Sequence, residues 1–364
     1  MGWKSKTLLS ALCALLVSFS IMNFQAQEIS DLNAGLRSFL TGGPAEIRSF
    51  SPEGLPYSYS PRVKGGIISP FYVVHYGILY SEACRKAEFL GHEHWSEDKS
   101  LKYWPFPPED ISLEKFRASA DWVVNKASVG DTGLTHIFYD FDWPYASYPD
   151  GMLKAPWWSG LTDAYATTLL LRAWDCFGDR KYLDMAGLLY ASAIAPVSGG
   201  GSLSSLNGQP WIDEYVDPRM SPEALSKVLN GMIYSYQAIK AYEAFAGTDK
   251  MTSALRDSIY RNLAAYDMGY WSRYDAVGSI SNIKYHRIQT ALIADGPLND
   301  GSLDALADRW RVGGDYPAIF YTIYGPSSIS KVQFIMTFVA MFMVAFALMY
   351  FLLDRCWKLA VRRR

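Results

Sequence analysis

The sequence predicts a mainly α-helical protein, an (α/α) toroid or incomplete barrel of helical hairpins, preceded by a smaller β-containing N-terminal region and followed by a transmembrane helix. Three observations carry this. From Trp157 onward, apolar residues recur with the helical period and short links join the segments. Before that point the chain is turn-rich and aromatic, as in SPEGLPYSYSPR and YWPFPPED. Near its end, Val332 to Leu353 runs about 22 residues without a charge, enough to cross a hydrocarbon core of roughly 30 Å.

Residues 1–27 contain Lys4 and Lys6, an apolar run from Leu8 to Met22 and a small-residue exit around Ala26. That is the layout of a secretory signal, with an uncleaved anchor as the alternative. Residues 28–150 form the β-containing region. Within it, Gly66 to Tyr80 reads as a strand leading into a short helix. Ser112 to Lys126 reads as a helix with Phe116, Ala120 and Val123 on one face, and THIFYDFDWPY as a strand ending at Pro144.

Residues 151–325 form the helical domain. Leu161 to Phe177 and Tyr182 to Ala195, broken at Gly178-Asp179, make a helical hairpin. The stretch VSGGGSLSSLNGQP is too glycine-rich for regular structure. Ser221-Pro222-Glu223 then reads as N-cap, first-turn proline and dipole-matched acid of a helix running to Ala246, where Gly247 stops it. Asn230-Gly231 falls inside that helix, where glycine costs about 1 kcal/mol and implies close packing or a ligand near the backbone. Met251 to Tyr266 supplies its antiparallel partner, a further helix lies near Leu303 to Trp310, and the aromatic stretch beyond Arg311 links the body to the membrane helix at 332–353. The tail, 354–364, holds Arg355, Lys358 and Arg362 to Arg364, which places it in the cytoplasm and the body outside it.

A net charge of −2 offers no global basic field, which argues against nucleic acid as a partner; an acidic substrate must be held by local cations. The cysteines show no metal-ligand spacing and the five histidines make no HExxH, so no metal is expected. Cys84 and Cys176 either pair in an oxidising compartment or are two separately buried thiols.

Several stretches, in order, resemble the glucuronyl C5-epimerases that act on heparan-type polysaccharides. Pro156-Trp157-Trp158-Ser159-Gly160 with the following helix and Arg172-Ala173 is similar to the segment that opens that family's C-terminal helical domain. Asp213-Glu214-Tyr215 and Leu229-Asn230-Gly231-Met232-Ile233-Tyr234-Ser235 resemble its EEY and LNGFMYSL stretches. Tyr274-Asp275 resembles its IYD turn, and Tyr285-His286 the DYH that enters a helix. The resemblance implies catalytic roles for Glu214, Tyr215, Tyr274 and Tyr285, a substrate-side role for Asn230, a β-rich part joined to an (α/α) domain, and a homodimer. The chain departs from the family pattern at Ala276-Val277, where an Arg-His pair is expected, so that the substrate-binding cation would come from Arg273, Lys284 or Arg287.

Inverting C5 of a uronic acid requires two proton-carrying groups flanking the sugar ring. A phenol, with an ordinary pKa near 10, serves directly as acid and needs nearby charge, here Arg273, Lys284, His286 or Arg287, to serve as base. Glu214 is the alternative base. No cofactor is required, and the chain has neither GxGxxG nor a P-loop. The expected function is therefore a membrane-anchored polysaccharide epimerase converting D-glucuronate to L-iduronate. The alternatives are a uronate lyase, which abstracts the same proton, and an inactive glycan-binding or assembly protein on the same fold.

Overall fold

The computed structural model describes residues 3–26, 28–29, 32, 36, 39–40, 47–60, 63–104, 107–108, 110–296, 298, 300–324 and 331–362. Helices dominate them. After α1 (Trp3–Phe24), an antiparallel sheet of β1 (Ile47–Phe50), β2 (Pro56–Ser60) and β3 (Val63–Ile67) leads into α2 (Pro70–Tyr80). The expected strand-to-helix passage after Gly66 is present. Next comes α3 (Leu113–Lys126), where Ser112 Oγ accepts the Lys115 amide and Phe116, Ala120 and Val123 are buried as expected.

The strand expected across THIFYDFDWPY is broken into two short ones, β4 (Thr135–His136) and β5 (Trp143–Pro144). Between them Tyr139 bridges to Trp157 and their rings stack 3.9 Å apart, so tertiary contact takes the place of a continuous ladder.

The helical body begins with the predicted hairpin, α4 (Gly160–Phe177) and α5 (Arg180–Ile194). Ser159 caps α4, and Gly178, in the left-handed region at φ 68°, ends it. Nearly all of α4 is buried because α2, α3, α5 and a later helix, α6 (Leu229–Ala246), all pack on it. Gly160 has to be glycine: a Cβ there would lie 2.6 Å from the Asp213 carbonyl oxygen. That close approach holds the start of α4 against the strand that delivers Asp213 and Glu214.

Two sequence expectations fail here. The glycine-rich loop contains a β-hairpin, β6 (Leu203–Leu206) with β7 (Gln209–Ile212), turned by Asn207 and Gly208, both at positive φ as a two-residue Asn-Gly turn requires. The helix signalled by Ser221-Pro222-Glu223 makes only one 3-10 turn, Pro222–Ala224, and α6 begins five residues later at Leu229. Asn230 and Gly231 therefore occupy the first turn of α6, not its interior. The interruption has a cause in buried polar contacts. Lys227 sits at φ 54°, and its ammonium is 3.1 Å from both Asp213 carboxylate oxygens and 2.5 Å from the Pro222 carbonyl. Its own carbonyl accepts the Tyr266 hydroxyl.

Helix α7 (Thr252–Tyr266) pairs with α6, as predicted. After a turn-rich stretch come α8 (Ile283–Asp295), α9 (Asp304–Asp315) and α10 (Pro317–Tyr324), so the segment after Arg311 is partly helical. The chain ends in α11 (Lys331–Arg362), longer than the predicted span. Helices 3–24 and 334–360 are both long and apolar enough to cross a membrane. Cys84 and Cys176 form a disulfide that ties the turn after α2 to the end of α4.

Candidate functional site

Four segments converge at the N-terminal end of α6. The strand leaving β7 delivers Asp213, Glu214 and Tyr215. The first turn of α6 supplies Asn230 and Gly231. The turn 272–280 is stitched onto that helix end, with the Leu229 amide donating to the Tyr274 carbonyl at 3.1 Å and the Ala276 amide to Ser226. Helix α8 then starts at Asn282, whose side chain accepts the Tyr285 amide at 2.9 Å, fixing Lys284 and Tyr285 in its first turn.

At the centre is Glu214, 8% exposed. A Cβ on residue 231 would overlap its Oε2, so glycine lets the carboxylate lie on the helix backbone. Oε2 has no hydrogen-bond partner among the described residues, and neither does the buried Asn230 Oδ1. Tyr274 donates to Glu214 Oε1 across a long 3.5 Å, and the Tyr215 and Tyr274 hydroxyls are 3.0 Å apart. Burial without strong donors pushes the Glu214 carboxyl up to about 7, against partial offsets from Tyr215, Tyr274 and the Lys284 ammonium.

The tyrosines move the other way from the expected base. Burial, and then the Glu214 charge, hold Tyr215 and Tyr274 well above the ordinary phenol value, so both stay protonated. At these two tyrosines the expected lowering by a neighbouring cation is not found, because the strong charge beside them is an acid. Tyr285 packs 4.9 Å from the Tyr274 ring, and the Lys284 ammonium lies 4.4 Å from the Tyr285 ring centre and 4.6 Å from that of Trp104.

Of the residues singled out from sequence, Glu214, Tyr215, Tyr274, Tyr285, Asn230 and Lys284 are brought together. The other three are not. His286 is fully buried: its ring stacks 4.1 Å from Trp271, its Nε2 donates to the Trp310 carbonyl, and burial drives its pKa down to about 3, so it is a neutral core residue and not a substrate contact. Arg287 turns toward α9 and donates to the Gly314 carbonyl. Arg273 is exposed, with its backbone carbonyl held by Gln289.

Sequence reasoning missed Tyr145 and Trp104, which come from the N-terminal region. Tyr145 donates to Asp275 at 2.6 Å and packs 5.1 Å from the Tyr215 ring, locking the turn that carries Tyr274. Trp104 forms the face opposite Tyr285, and behind it His75 is kept neutral by burial, at about 3. No local pattern marks either residue, since each reaches the cluster through contacts distant in sequence. His92, His94 and Asp175 offer three metal-ligand atoms within 4.8 Å of one another, a grouping the scattered histidines did not suggest. The shared Asp175 Oδ2 already accepts from His94 and from Trp95 Nε1.

An acid poised near neutrality among protonated phenols can accept and return a proton near pH 7. Residues 132–310 match the model of the D-glucuronyl C5-epimerase C-terminus, and every residue of the cluster except Trp104 lies in that span. Residues 132–310 thus belong to the D-glucuronyl C5-epimerase C-terminus family. It is similar to an uncharacterized protein of Methanocaldococcus jannaschii, 30% identical over 173 residues that cover 45% of this chain and 54% of that protein. It is also similar to the D-glucuronyl C5-epimerase of Caenorhabditis elegans, 27% identical over 225 residues covering 54% of this chain and 34% of the relative. The chain thus spans about half of the first relative and a third of the second. These likenesses support an epimerase-type function.

Proposed function

We propose that the protein is a membrane-anchored C5-epimerase of an acidic polysaccharide, converting D-glucuronate to L-iduronate residues. The observation that carries the reading is Glu214, a buried carboxylate near neutral pKa, in contact with two phenols held protonated. Glu214 takes the C5 proton and the C5–H electron pair moves into the substrate carboxylate, giving an enediolate. The Lys284 ammonium neutralises that growing charge. A tyrosine hydroxyl on the opposite face, Tyr285 in this reading, returns a proton to C5. The Tyr215–Tyr274 pair, touching Glu214, gives the abstracted proton a route by which the donor is recharged. Asn230 and Glu214 Oε2, both short of partners, meet substrate hydroxyls.

The body lies outside the cytoplasm, held by α11 with its basic tail inside. The helical hairpins are read as an incomplete (α/α) barrel with its mouth at these loops.

The test is C5 hydrogen exchange. The full chain, incubated in D2O with glucuronate-containing polymers, is expected to place deuterium at C5 and to produce iduronate signals by NMR. Both signals should be lost in Glu214→Gln and reduced about 100-fold in Tyr285→Phe. An unsaturated uronate absorbing in the ultraviolet would identify a lyase instead. A folded chain that binds these polymers without exchange would identify a glycan-binding protein.

A further inference from the structure

The two ends of the chain lie against each other as a helix pair. Helix α1 buries Ser10, Ala14, Ser18 and Met22, one in every four residues, so they form a single stripe. Its Leu8, Leu12, Leu15, Leu16 and Phe19 are exposed. A helix in water does the reverse, turning leucines in and serines out. Small residues inward and leucines outward is how helices pack inside lipid, where close backbone approach and not expulsion of water favours association. Helix α11 also turns large apolar residues outward, with Ile335, Met336, Val339, Met343, Val344 and Phe351 exposed, while Phe334 is buried.

Direction is fixed at both ends. Lys6 forms an ion pair with Asp354 at 2.6 Å, whereas Met22 shares an apolar cluster with Phe334. The helices are therefore antiparallel. Lys6 to Met22 spans about 24 Å and Phe334 to Asp354 about 30 Å at 1.5 Å per residue, each close to one hydrocarbon thickness. Lys4 and Lys6 consequently sit at the same end as Arg355, Lys358 and Arg362, and positive flanks favour the cytoplasmic face for both. At the opposite end the pair enters the body. Asn23 Oδ1 accepts the Ala318 amide at 2.9 Å, and Met22, Ala26 and Ile29 join Trp271, Ile283 and Ala318 in one buried cluster. Trp271 is the residue stacked on His286, and Ile283 opens the helix that carries Lys284 and Tyr285.

We propose that α1 stays with the mature protein as a second membrane-crossing helix, forming with α11 an antiparallel hairpin that has both ends in the cytoplasm and its outer end built into the core beneath α8. In this proposal the uncleaved alternative for residues 1–27 holds, and α1 is a structural element. This goes beyond the epimerase reading, and its test needs no turnover, so the two fail separately.

Two measurements on the full chain in its native membrane decide it. The intact mass of the extracted, otherwise unaltered protein is expected to include α1; a mature chain beginning after Ala26 overturns the proposal. In a Cys13→Ser, Cys356→Ser background, Lys6→Cys with Asp354→Cys is expected to give a disulfide-linked peptide pair on mild oxidation, whereas Lys6→Cys with Val332→Cys gives none. A retained α1 that links to position 332, or to neither while Cys84–Cys176 is intact, overturns the hairpin. In sealed right-side-out vesicles, Lys6→Cys and the native Cys356 are both expected to resist a membrane-impermeant maleimide until the vesicles are opened. Labelling of either from outside overturns the shared cytoplasmic placement.

Discussion

Glu214 and Glu243 are the same side chain in almost the same degree of burial, 8% and 1% exposed, with opposite fates. Glu243, inside α6, is supplied with donors: the Tyr190 hydroxyl, the Met251 and Thr252 amides, and the Thr252 hydroxyl all reach it at 2.6–3.2 Å. Burial would raise its pKa, but those donors outweigh it and the carboxyl is held below the ordinary value. Glu214, at the other end of the same helix, keeps one oxygen without a partner and rises to about 7. One acid closes the start of α7 and the other keeps an oxygen without a hydrogen-bond partner among the described residues. Hydrogen bonds supplied to Glu243 outweigh its burial, and hydrogen bonds withheld from Glu214 leave its burial unopposed.

The largest effect that would sharpen this contrast is catalytic. Glu214→Gln is expected to lower turnover by about 1000-fold or more while the chain still folds, since general-base contributions reach 10²–10⁴; C5 exchange rate and thermal unfolding read together check it. Turnover that survives would hand the base role to another group.

Next is the pH dependence of stability, which should have opposite signs at the two sites. Glu214 has a folded value near 7 against an ordinary 4.5, so its stabilising contribution is complete below pH 4.5 and is lost as pH rises through 7, by at most about 3 kcal/mol. Glu243, held low, contributes above the ordinary carboxylate range and loses that contribution as pH falls. Unfolding followed from pH 4.5 to 8 should show a steeper loss in wild type than in Glu214→Gln, which keeps only the shallower slope from Asp213, itself lifted to about 6.

Glu243→Gln is expected to cost about 2 kcal/mol, the penalty for disturbing charge-assisted bonds to several buried donors, with turnover per folded molecule retained. Gly231→Ala should be milder. Its new methyl group pushes the Glu214 carboxylate off the helix backbone and lowers exchange about tenfold, with an unfolding midpoint little changed, because α6 gains a better helix former there. A Gly231→Ala chain with full activity would show that the carboxylate does not need this seat.

Where local periodicity decides structure, the sequence was legible. The α4–α5 hairpin and its break at Gly178-Asp179 follow from apolar spacing and a left-handed stop. The start of α6 did not, because the Ser221-Pro222-Glu223 signal is overridden when Lys227 is drawn to Asp213 through a strained backbone. Burial lifts Asp213 to about 6 even with that ammonium beside it, a measure of how costly the clamp is. The β6–β7 hairpin was hidden by glycines whose use is to turn, not to loosen. At the site, Glu214 and its tyrosines were legible through motif order, whereas His286 was not: adjacency to Tyr285 in sequence places it about 100° around the helix, in the core. Tyr145 and Trp104 were invisible for the complementary reason, that tertiary folding alone brings them in.

The Cys84–Cys176 bond divides the four cysteines of this chain into two kinds. It joins residues 92 apart in the body, while Cys13 and Cys356 remain free on the helices at the two chain ends. Protein denatured without reductant is expected to titrate two thiols, and four after reduction. Without that bond the end of α4 is expected to be unfastened from the turn after α2, which thermal unfolding with and without reductant would read as a lower midpoint in reductant.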